Sequence, residues 1–378
     1  MKNTAPQSRQ TLIADFAASH VATRPDLHTQ TEFPMDLWQI MGVAGLFKTG
    51  IAKHYGGAGG GFLSLLQAGE TFVQNGYNSG LAFSWLYQQT IARQIIGSLG
   101  TSRQRRDYLP ALAEGRLILS FAVSEPGHGA RPGLLKTSAV PRGKYHELTG
   151  EKTYLTNGPL ADVFIVIAVT DNTTARKRFT AFLVPRDTPG LTVGPPLTLD
   201  FLKPSLHGSI KLDHCIIGPN ALVGRKDTAW MDMVVPFGEV EDVVMMGPVL
   251  GGMSAQLDML IASLGNTGAA LERERQSEIG NLHALLTTLR MIAGEAAGRL
   301  DGGIESPVPL IITFAELAAW FQTSIARSIS RLDRVIPDPY NSLQRDMEAL
   351  VMFKKKLLQL RREKIGAFLL RPDSSRSA

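Results

Sequence analysis

The period of the hydrophobic pattern changes twice along the chain, and this constrains the fold more than any other feature. Residues 1–118 carry apolar side chains at helical intervals, interrupted by a glycine-rich loop that begins at Tyr55. From about 118 to 224, runs rich in Val, Ile, Phe and Thr alternate with Gly, Pro and Asn turns, which is typical of strands. Helical spacing returns from about 229. The sequence therefore predicts a helical region, a strand region and a second helical region.

This pattern predicts an α+β chain of three parts. The strand-like runs are not separated by the helices that a parallel sheet requires, so we expect an antiparallel sheet or barrel. Four long helix candidates joined by short loops predict a carboxy-terminal four-helix bundle, with helices at 231–264, 269–300, 310–332 and 342–370. The predicted domains are 1–118 (helical), 119–226 (β-barrel) and 227–370 (bundle), followed by a flexible tail at 371–378.

Charge and cysteine content limit the classes of partner. The net charge of +5 weakly favours an anionic, nucleotide-bearing ligand. The one dense Lys/Arg run, at 353–364, has apolar residues at helical spacing, which favours a solvated helix face over a nucleic-acid site. Cys215 is the only cysteine, which fits a reducing compartment. With no apolar signal core at the amino terminus and no run of about 20 apolar residues, we expect a soluble cytoplasmic protein without a membrane span.

Several short motifs follow one another in a recognisable order. YLPALAEG at 108–115 precedes FAVSEPGHG at 121–129, and GEKTYLTNG at 150–158 follows. VPRDTPGL begins at Val184, and YGG lies upstream at 55–57. In order and separation these resemble the acyl-CoA dehydrogenase family, whose members carry "YLP.LA.G", "TEPG.GSD" and "G.K.WITNG". The resemblance covers about residues 30–260 and implies an FAD-dependent oxidoreductase that acts on an acyl-CoA or a related thioester.

The resemblance also implies the flavin-binding residues. A flavin ring needs a flat apolar wall and donors to its polar edge. The family positions that match Ser124, Tyr154 and Thr156 contact the flavin. Phe121 and Val123 belong to the same strand end as Ser124, so we predict them as cofactor contacts too. The competing interpretation is that Ser124 and Thr156 only satisfy turn backbone. Ala130 is the predicted substrate contact and stands where the family has a serine hydroxyl.

Two further residues of the first flavin motif have structural interpretations. Glu125 is not the family's catalytic base, so we expect it to be a structural carboxylate. His128 lies in a turn with no Cys or His cluster beside it, and we predict no metal site.

The catalytic base of the family is not conserved in its usual place. Most members carry a glutamate in a carboxy-terminal "YEGT" segment, whereas the corresponding stretch here, from Arg345, lacks it. Other members place the base on the first bundle helix, where this chain has Glu239 and Glu241 on either side of Val240, the aligned position. Either acid is a candidate base, and the alternative is a helix start whose acids are favoured by the helix dipole.

Motifs that reach a neighbouring subunit in the family are also missing. "RK.FG", which contacts the FAD pyrophosphate across the interface, and the later "Q..GG" loop have no counterpart. Three hypotheses follow. In the first, the chain is a dehydrogenase with a relocated base and forms a homo-oligomer. In the second, it is one subunit of a heteromer, and a homologous chain supplies the missing groups. In the third, it uses the fold differently, as a flavin monooxygenase or a non-catalytic scaffold.

Overall fold

The structure is a computed structural model that describes residues 8–173, 176–264, 269–303, 305–332, 336, 338–352 and 355–370. The tail at 371–378, which the sequence predicts to be flexible, lies outside the described residues, as do residues 353 and 354 of the basic run. Helical, strand and helical regions follow one another in the predicted order. The predicted fold class is therefore confirmed.

Five α-helices form the amino-terminal region from residue 8 onward, where the described residues begin. They are α1 (Arg9–Phe16), α2 (Met35–Val43), α3 (Phe62–Gly76), α4 (Ser79–Thr90) and α5 (Ser102–Ala113). Side chains fix two of the starts: Asn78 accepts a hydrogen bond from the Leu81 N–H, and Thr101 forms a capping box with Gln104.

The strand region is one mixed sheet of eight strands. They are β1 (Leu119–Ala122), β2 (Ser138–Arg142), β3 (Tyr145–Thr156), β4 (Val163–Asp171), β5 (Arg178–Pro185), β6 (Leu191–Val193), β7 (His207–Ile217) and β8 (Leu222–Val223). The strand order is β6-β7-β3-β2-β4-β5-β8, and β1 pairs with β4. Most pairs are antiparallel as predicted, but β1 and β2 run parallel to β4. The parallel pairs arise because the β2–β3 hairpin carries the chain back before β4 begins, a crossover that strand periodicity cannot reveal.

Among the described residues, six α-helical segments form the carboxy-terminal region. They are α6 (Val235–Val244), α7 (Met246–Ser263), α8 (Ala269–Gly302), α9 (Val308–Ser330), α10 (Tyr340–Met352) and α11 (Lys355–Leu369). One segment predicted as a single helix is divided. The segment 231–264 has a π-helical turn at Trp230–Val234 and a break at Met245. Such interruptions keep nearly the same apolar spacing, so the sequence pattern does not show them.

Apolar side chains hold the three regions together. The largest cluster runs from Ile13 on α1 through Ile165 of the sheet to Phe237 on α6. A second cluster fills the bundle and includes Leu66 from α3, while a third occupies the other face of the sheet. Each region thus shares buried apolar surface with another.

The start of α3 is capped by a residue of the bundle. Gly61, at the N-cap position, has no side chain to accept hydrogen bonds from the first turn. Asp301 of α8 does so instead, accepting from the Phe62 N–H at 2.8 Å and the Leu63 N–H at 3.1 Å. A Cβ atom at position 61 would lie 2.2 Å from the Asp301 carboxylate, so glycine is required for this approach.

In the part of the chain that the structure describes, two helical segments are long and apolar enough to cross a membrane by length and composition alone, Trp230–Ser263 and Val308–Ser330. The apolar window of the first is 83% buried within the protein, as expected for a core helix. The second buries one face, which includes Phe314 and Phe321, in the bundle. The absence of a membrane span stays a prediction.

Candidate active site

A cavity of about 700 Å3 lies where the sheet meets the helical regions. Its walls come from α4, the ends of β1 and β3, the start of β7, α6 and the bundle helices. Seven of the predicted site residues line it: Phe121, Val123, Ser124, Ala130, Tyr154, Thr156 and Glu241. Glu239 is not part of the wall that the described residues form.

The ends of β1 and β3 meet on one wall of this cavity. The Thr153 N–H donates to the Ser124 carbonyl oxygen at 2.9 Å. The Ser120 hydroxyl donates to the Thr156 carbonyl oxygen at 2.8 Å. The strand segments around Val123 and Leu155 therefore lie side by side, which is the arrangement that the predicted flavin wall requires.

Tyr154 stands on a bulge in this wall. The register of β3 against β7 shifts between Thr153 and Leu155, and Tyr154 has a φ of 57°. A left-handed conformation is strained for a bulky residue and is found where a side chain must be re-aimed. Tyr154 is 64% exposed, so the bulge presents a flat aromatic face to the cavity.

A buried ion pair supports the wall from behind. The Lys152 ammonium donates to the Val123 carbonyl oxygen at 2.9 Å and to a Glu125 carboxylate oxygen at 3.0 Å. Glu125 also accepts hydrogen bonds from the backbone N–H groups of Lys136 and Thr137. Burial lowers the pKa of Lys152 to about 8, against the opposing effect of Glu125. Burial alone would raise the Glu125 pKa, but the Lys152 charge and these hydrogen bonds together lower it. The contacts of Glu125 fit the structural role expected from the sequence.

Aromatic rings pack at the next side of the cavity. The Phe237 ring on α6 contacts the rings of Phe121 and Tyr87, with centroid distances of 4.8 and 5.6 Å. Burial, and secondarily the charge of Glu241, raises the pKa of Tyr87 well above its ordinary value. The Tyr87 phenol therefore stays protonated in this apolar corner.

Helix periodicity explains why the two candidate bases lie in different surroundings. Phe237 and Glu241 are four residues apart on α6 and both line the cavity, whereas Glu239 is rotated away from that face. Burial raises the pKa of Glu239, while Arg361 opposes this shift. On the cavity side, Asp242 accepts a hydrogen bond from Arg361 of α11 at 2.6 Å, and both side chains are nearly buried.

The loop at 199–206 closes another side of the cavity with Leu199, Phe201 and Leu202. The Leu202 N–H donates to the Asp346 carboxylate of α10 at 2.8 Å. Asn78 donates to the Lys203 carbonyl oxygen at 3.2 Å. Burial raises the pKa of Asp346 to about 6, against the opposing Leu202 hydrogen bond. The loop is thus fixed by both helical regions.

Sequence reasoning missed three residues of this region: Lys152, Asp346 and His207. Lys152 lies inside the GEKTYLTNG motif, so its place in the motif was a usable signal. Asp346 belongs to the stretch from Arg345 that aligns with the family's carboxy-terminal segment, but that stretch gave no sign of its contact with the cavity loop. His207 is isolated in the sequence, and only the fold brings it to the cavity wall. Within the described ranges, no group of three or more His, Cys, Asp or Glu side chains is arranged to hold a metal ion.

Comparison with protein families gives two matches. The acyl-CoA dehydrogenase N-terminal domain matches residues 6–116, and the acyl-CoA dehydrogenase middle domain matches residues 120–215. Together these two domains account for more than half of the chain.

Three curated relatives are similar in sequence. An acyl-CoA dehydrogenase of Bacillus subtilis is 33% identical over 184 residues, 48% of each chain. A short-chain-specific acyl-CoA dehydrogenase of Clostridium acetobutylicum is 32% identical over 216 residues, 57% of this chain and 56% of that one. The chain thus spans about half the length of these two. An L-prolyl-(peptidyl-carrier protein) dehydrogenase of Pseudomonas fluorescens is 29% identical over 319 residues, 81% of each chain.

Solved structures share the fold along almost the whole chain. Butyryl-CoA dehydrogenase from Megasphaera elsdenii superposes with a TM-score of 0.84 at 19% identity, covering 97% of this chain and all of that one. The FAD complex of PigA superposes with a TM-score of 0.82 at 21% identity, covering 97% and 99%. With both family domains matched in order, the chain belongs to the acyl-CoA dehydrogenase family.

Proposed function

We propose that this chain is an FAD-dependent dehydrogenase of acyl thioesters that works beside a homologous subunit. One observation carries the proposal: a single cavity joins the wall formed by β1 and β3 to a carboxylate on α6, Glu241. Oxidation of an acyl thioester between its α and β carbons needs a flat redox ring and a proton acceptor in one enclosure. The cavity offers a place for both.

The wall residues fit the flavin ring of FAD. Tyr154 supplies an exposed aromatic face, and the side chains of Ser124 and Thr156 supply hydroxyl groups beside it. Phe121 and Val123 make the wall apolar. FAD bound here would supply the acceptor for the two electrons that leave with the β-hydrogen. The FAD complex of PigA, which has this fold, supports FAD as the cofactor.

Glu241 is the favoured proton acceptor. Its position on the cavity face of α6 lets its carboxylate receive the α-proton of a thioester held against the wall. The carbon–hydrogen bonds at the α and β carbons break, and a carbon–carbon double bond forms. Glu239 remains the alternative base, but it lies off the cavity face.

The bundle side of the cavity favours an apolar acyl group. Val249 of α7, together with Phe314 and Ala318 of α9, continues the cavity away from the wall, and Leu358 of α11 closes it. An apolar enclosure favours an uncharged hydrocarbon chain or ring and disfavours a second carboxylate. We propose a thioester of such an acyl group on CoA or on a carrier protein as the substrate. The L-prolyl-(peptidyl-carrier protein) dehydrogenase relative supports the second carrier.

A homologous partner would supply what this chain lacks. Most of the residues that match the flavin contacts made within one subunit of this family are present in the sequence, but the two motifs that reach the FAD of a neighbouring subunit are not. Loss of only the intersubunit motifs is expected when one of two related chains binds the flavin ring and the other supplies the contacts across the interface. We therefore propose a heteromer with a second member of the family.

Purification of the chain alone and with a homologous subunit tests the proposal. We expect a colourless or weakly yellow chain alone, and a yellow complex after co-expression whose flavin absorbance bleaches when an acyl thioester is added. A yellow chain that bleaches alone would support the dehydrogenase without the partner.

Two other results would contradict the proposal. Flavin that does not react with acyl thioesters, but reacts with oxygen after external reduction, would indicate a monooxygenase. The lack of flavin in every preparation would indicate a non-catalytic scaffold.

A further inference from the structure

His207 occupies the cavity wall next to a predicted flavin contact. It is the first residue of β7, and its backbone pairs with Thr156 of β3. Directly paired residues of neighbouring strands project their side chains to the same face of a sheet. Ile210 and Leu212, which follow on β7, face the apolar core on the other side. The imidazole of His207 and the hydroxyl of Thr156 therefore lie side by side in the cavity.

The imidazole has a hydrogen-bonding atom that the described residues leave unused. Nδ1 of His207 is buried and has no hydrogen-bond partner among them. The neighbouring ring is Phe83, at a centroid distance of 5.9 Å, and it offers no hydrogen bond. Buried polar atoms without a partner are rare in folded proteins, and each one calls for an explanation.

Because Nδ1 is covered by protein atoms, the other ring nitrogen of His207 is the one that a ligand in the cavity can reach. His207 lines the cavity next to Thr156, so this nitrogen lies beside the space that a flavin would occupy. Burial lowers the pKa of His207 to about 4, so the ring is neutral near pH 7 and has one donor and one acceptor nitrogen.

We propose that His207 hydrogen-bonds the polar edge of the flavin ring beside Thr156. This inference rests on the proposed function, because it needs a flavin in the cavity. The edge of a flavin ring carries carbonyl oxygens and nitrogens that match the neutral imidazole in either of its tautomers. His207 would add a neutral hydrogen bond and no positive charge at this edge.

Substitution of His207 tests the contact with two measurements that should move in opposite directions. His207→Phe removes the unpartnered nitrogen, so the flavin-free protein is expected to melt at the same temperature or higher. The same variant should bind FAD about tenfold more weakly, since one neutral hydrogen bond is lost. The affinity is measured by flavin-fluorescence quenching, and the visible flavin bands should shift relative to wild type.

Two further variants complete the design. His207→Asn keeps a donor and an acceptor and should recover part of the FAD affinity. His214→Asn, on the same strand but 69% exposed at its side chain, should bind FAD within about twofold of wild type.

The outcomes separate this inference from the proposed function. The preparation used is the one that holds flavin, the chain alone or the co-expressed complex. Unchanged FAD affinity and unchanged flavin bands in His207→Phe would overturn the contact and leave the proposed function standing. Weaker thioester binding with normal FAD binding would overturn it as well. If wild-type protein binds no FAD in any preparation, the proposed function itself fails.

Discussion

At the scale of single residues, substitution of the buried Lys152 should lower the stability of the protein most. Its ammonium is fully buried and bridges the Glu125 carboxylate and the Val123 carbonyl oxygen. Lys152→Met would leave the Glu125 charge buried without its partner, which should lower the free energy of unfolding by about 3–5 kcal/mol. Urea denaturation measures the loss.

The double variant Lys152→Met/Glu125→Gln serves as the control for this prediction. It removes both charges, so it should recover a substantial part of the lost stability. If the single and double variants were equally unstable, the ion pair would not be the reason for the loss.

A second residue-scale prediction concerns catalysis. Glu241→Gln keeps the size of the side chain but removes its basicity, so turnover of an acyl thioester should fall by at least ~100-fold. Glu239→Gln should change turnover by less than about threefold, because Glu239 lies off the cavity face. Stopped-flow bleaching of the flavin gives both rates. Equal turnover in wild type and Glu241→Gln would remove this residue from the mechanism.

The sequence predicted the motif residues of the cavity wall better than the features that depend on strand pairing. Ser124, Tyr154 and Thr156 lie in motifs with fixed spacing, and the structure brings all three to one cavity. The bulge at Tyr154 was not predictable, because it depends on the register against β7. His207 likewise reaches the wall only through strand pairing, which hydrophobic periodicity does not specify.

At the scale of elements, the cap of α3 is open to a direct test. Asp301→Ala removes both acceptors from the first turn of the helix and should cost about 1 kcal/mol in the free energy of unfolding. Asp301→Asn keeps one acceptor oxygen and should lose less. Chemical denaturation of the three proteins gives the values. Equal stability of wild type and Asp301→Ala would show that water replaces the cap without loss.

The loop at 199–206 leads to a pH-dependent prediction through Asp346. Its folded-state pKa of about 6 lies above the ordinary value of 3.8, so the folded protein binds this proton more tightly than the unfolded chain does. The contribution of Asp346 to stability therefore decreases as pH rises from about 4 to 6 and is constant above that range. Asp346→Asn keeps an acceptor for the Leu202 N–H without a charge, and should be more stable at pH 7.5 by up to ~3 kcal/mol.

Thermal unfolding at several pH values checks this prediction. The advantage of Asp346→Asn over wild type should shrink as the pH is lowered and nearly disappear by about pH 4. A constant difference between the two proteins across this range would show that Asp346 does not titrate as described.

The element boundaries mark the limit of what periodicity predicts. The sequence indicated the first bundle segment at 231–264 but not its break at Met245, since the apolar spacing continues through it. It indicated β1 but not its parallel pairing with β4, since pairing direction depends on the path of the chain. Contacts between distant segments decide these features, and a local pattern does not contain them.

At the scale of the whole molecule, the shared cores predict a single unfolding transition. The largest apolar cluster joins Ile13, Ile165 and Phe237 from three regions, and the bundle cluster includes Leu66 from α3. Regions with shared cores stabilise one another and unfold together. Calorimetry should therefore show one endotherm for the flavin-free chain. Two resolved endotherms would indicate that the regions unfold independently.

The cap of α3 by Asp301 also has a consequence for synthesis on the ribosome. Asp301 follows Phe62 by 239 positions, so it is translated long after the helix that it completes. At roughly 5–20 residues per second, this delay lasts about 12–48 s. During that interval the nascent helix has a frayed first turn, and its partner surface on α7 is also missing for most of the time. The first turn of α3 therefore gains its cap only after Asp301 has been synthesised.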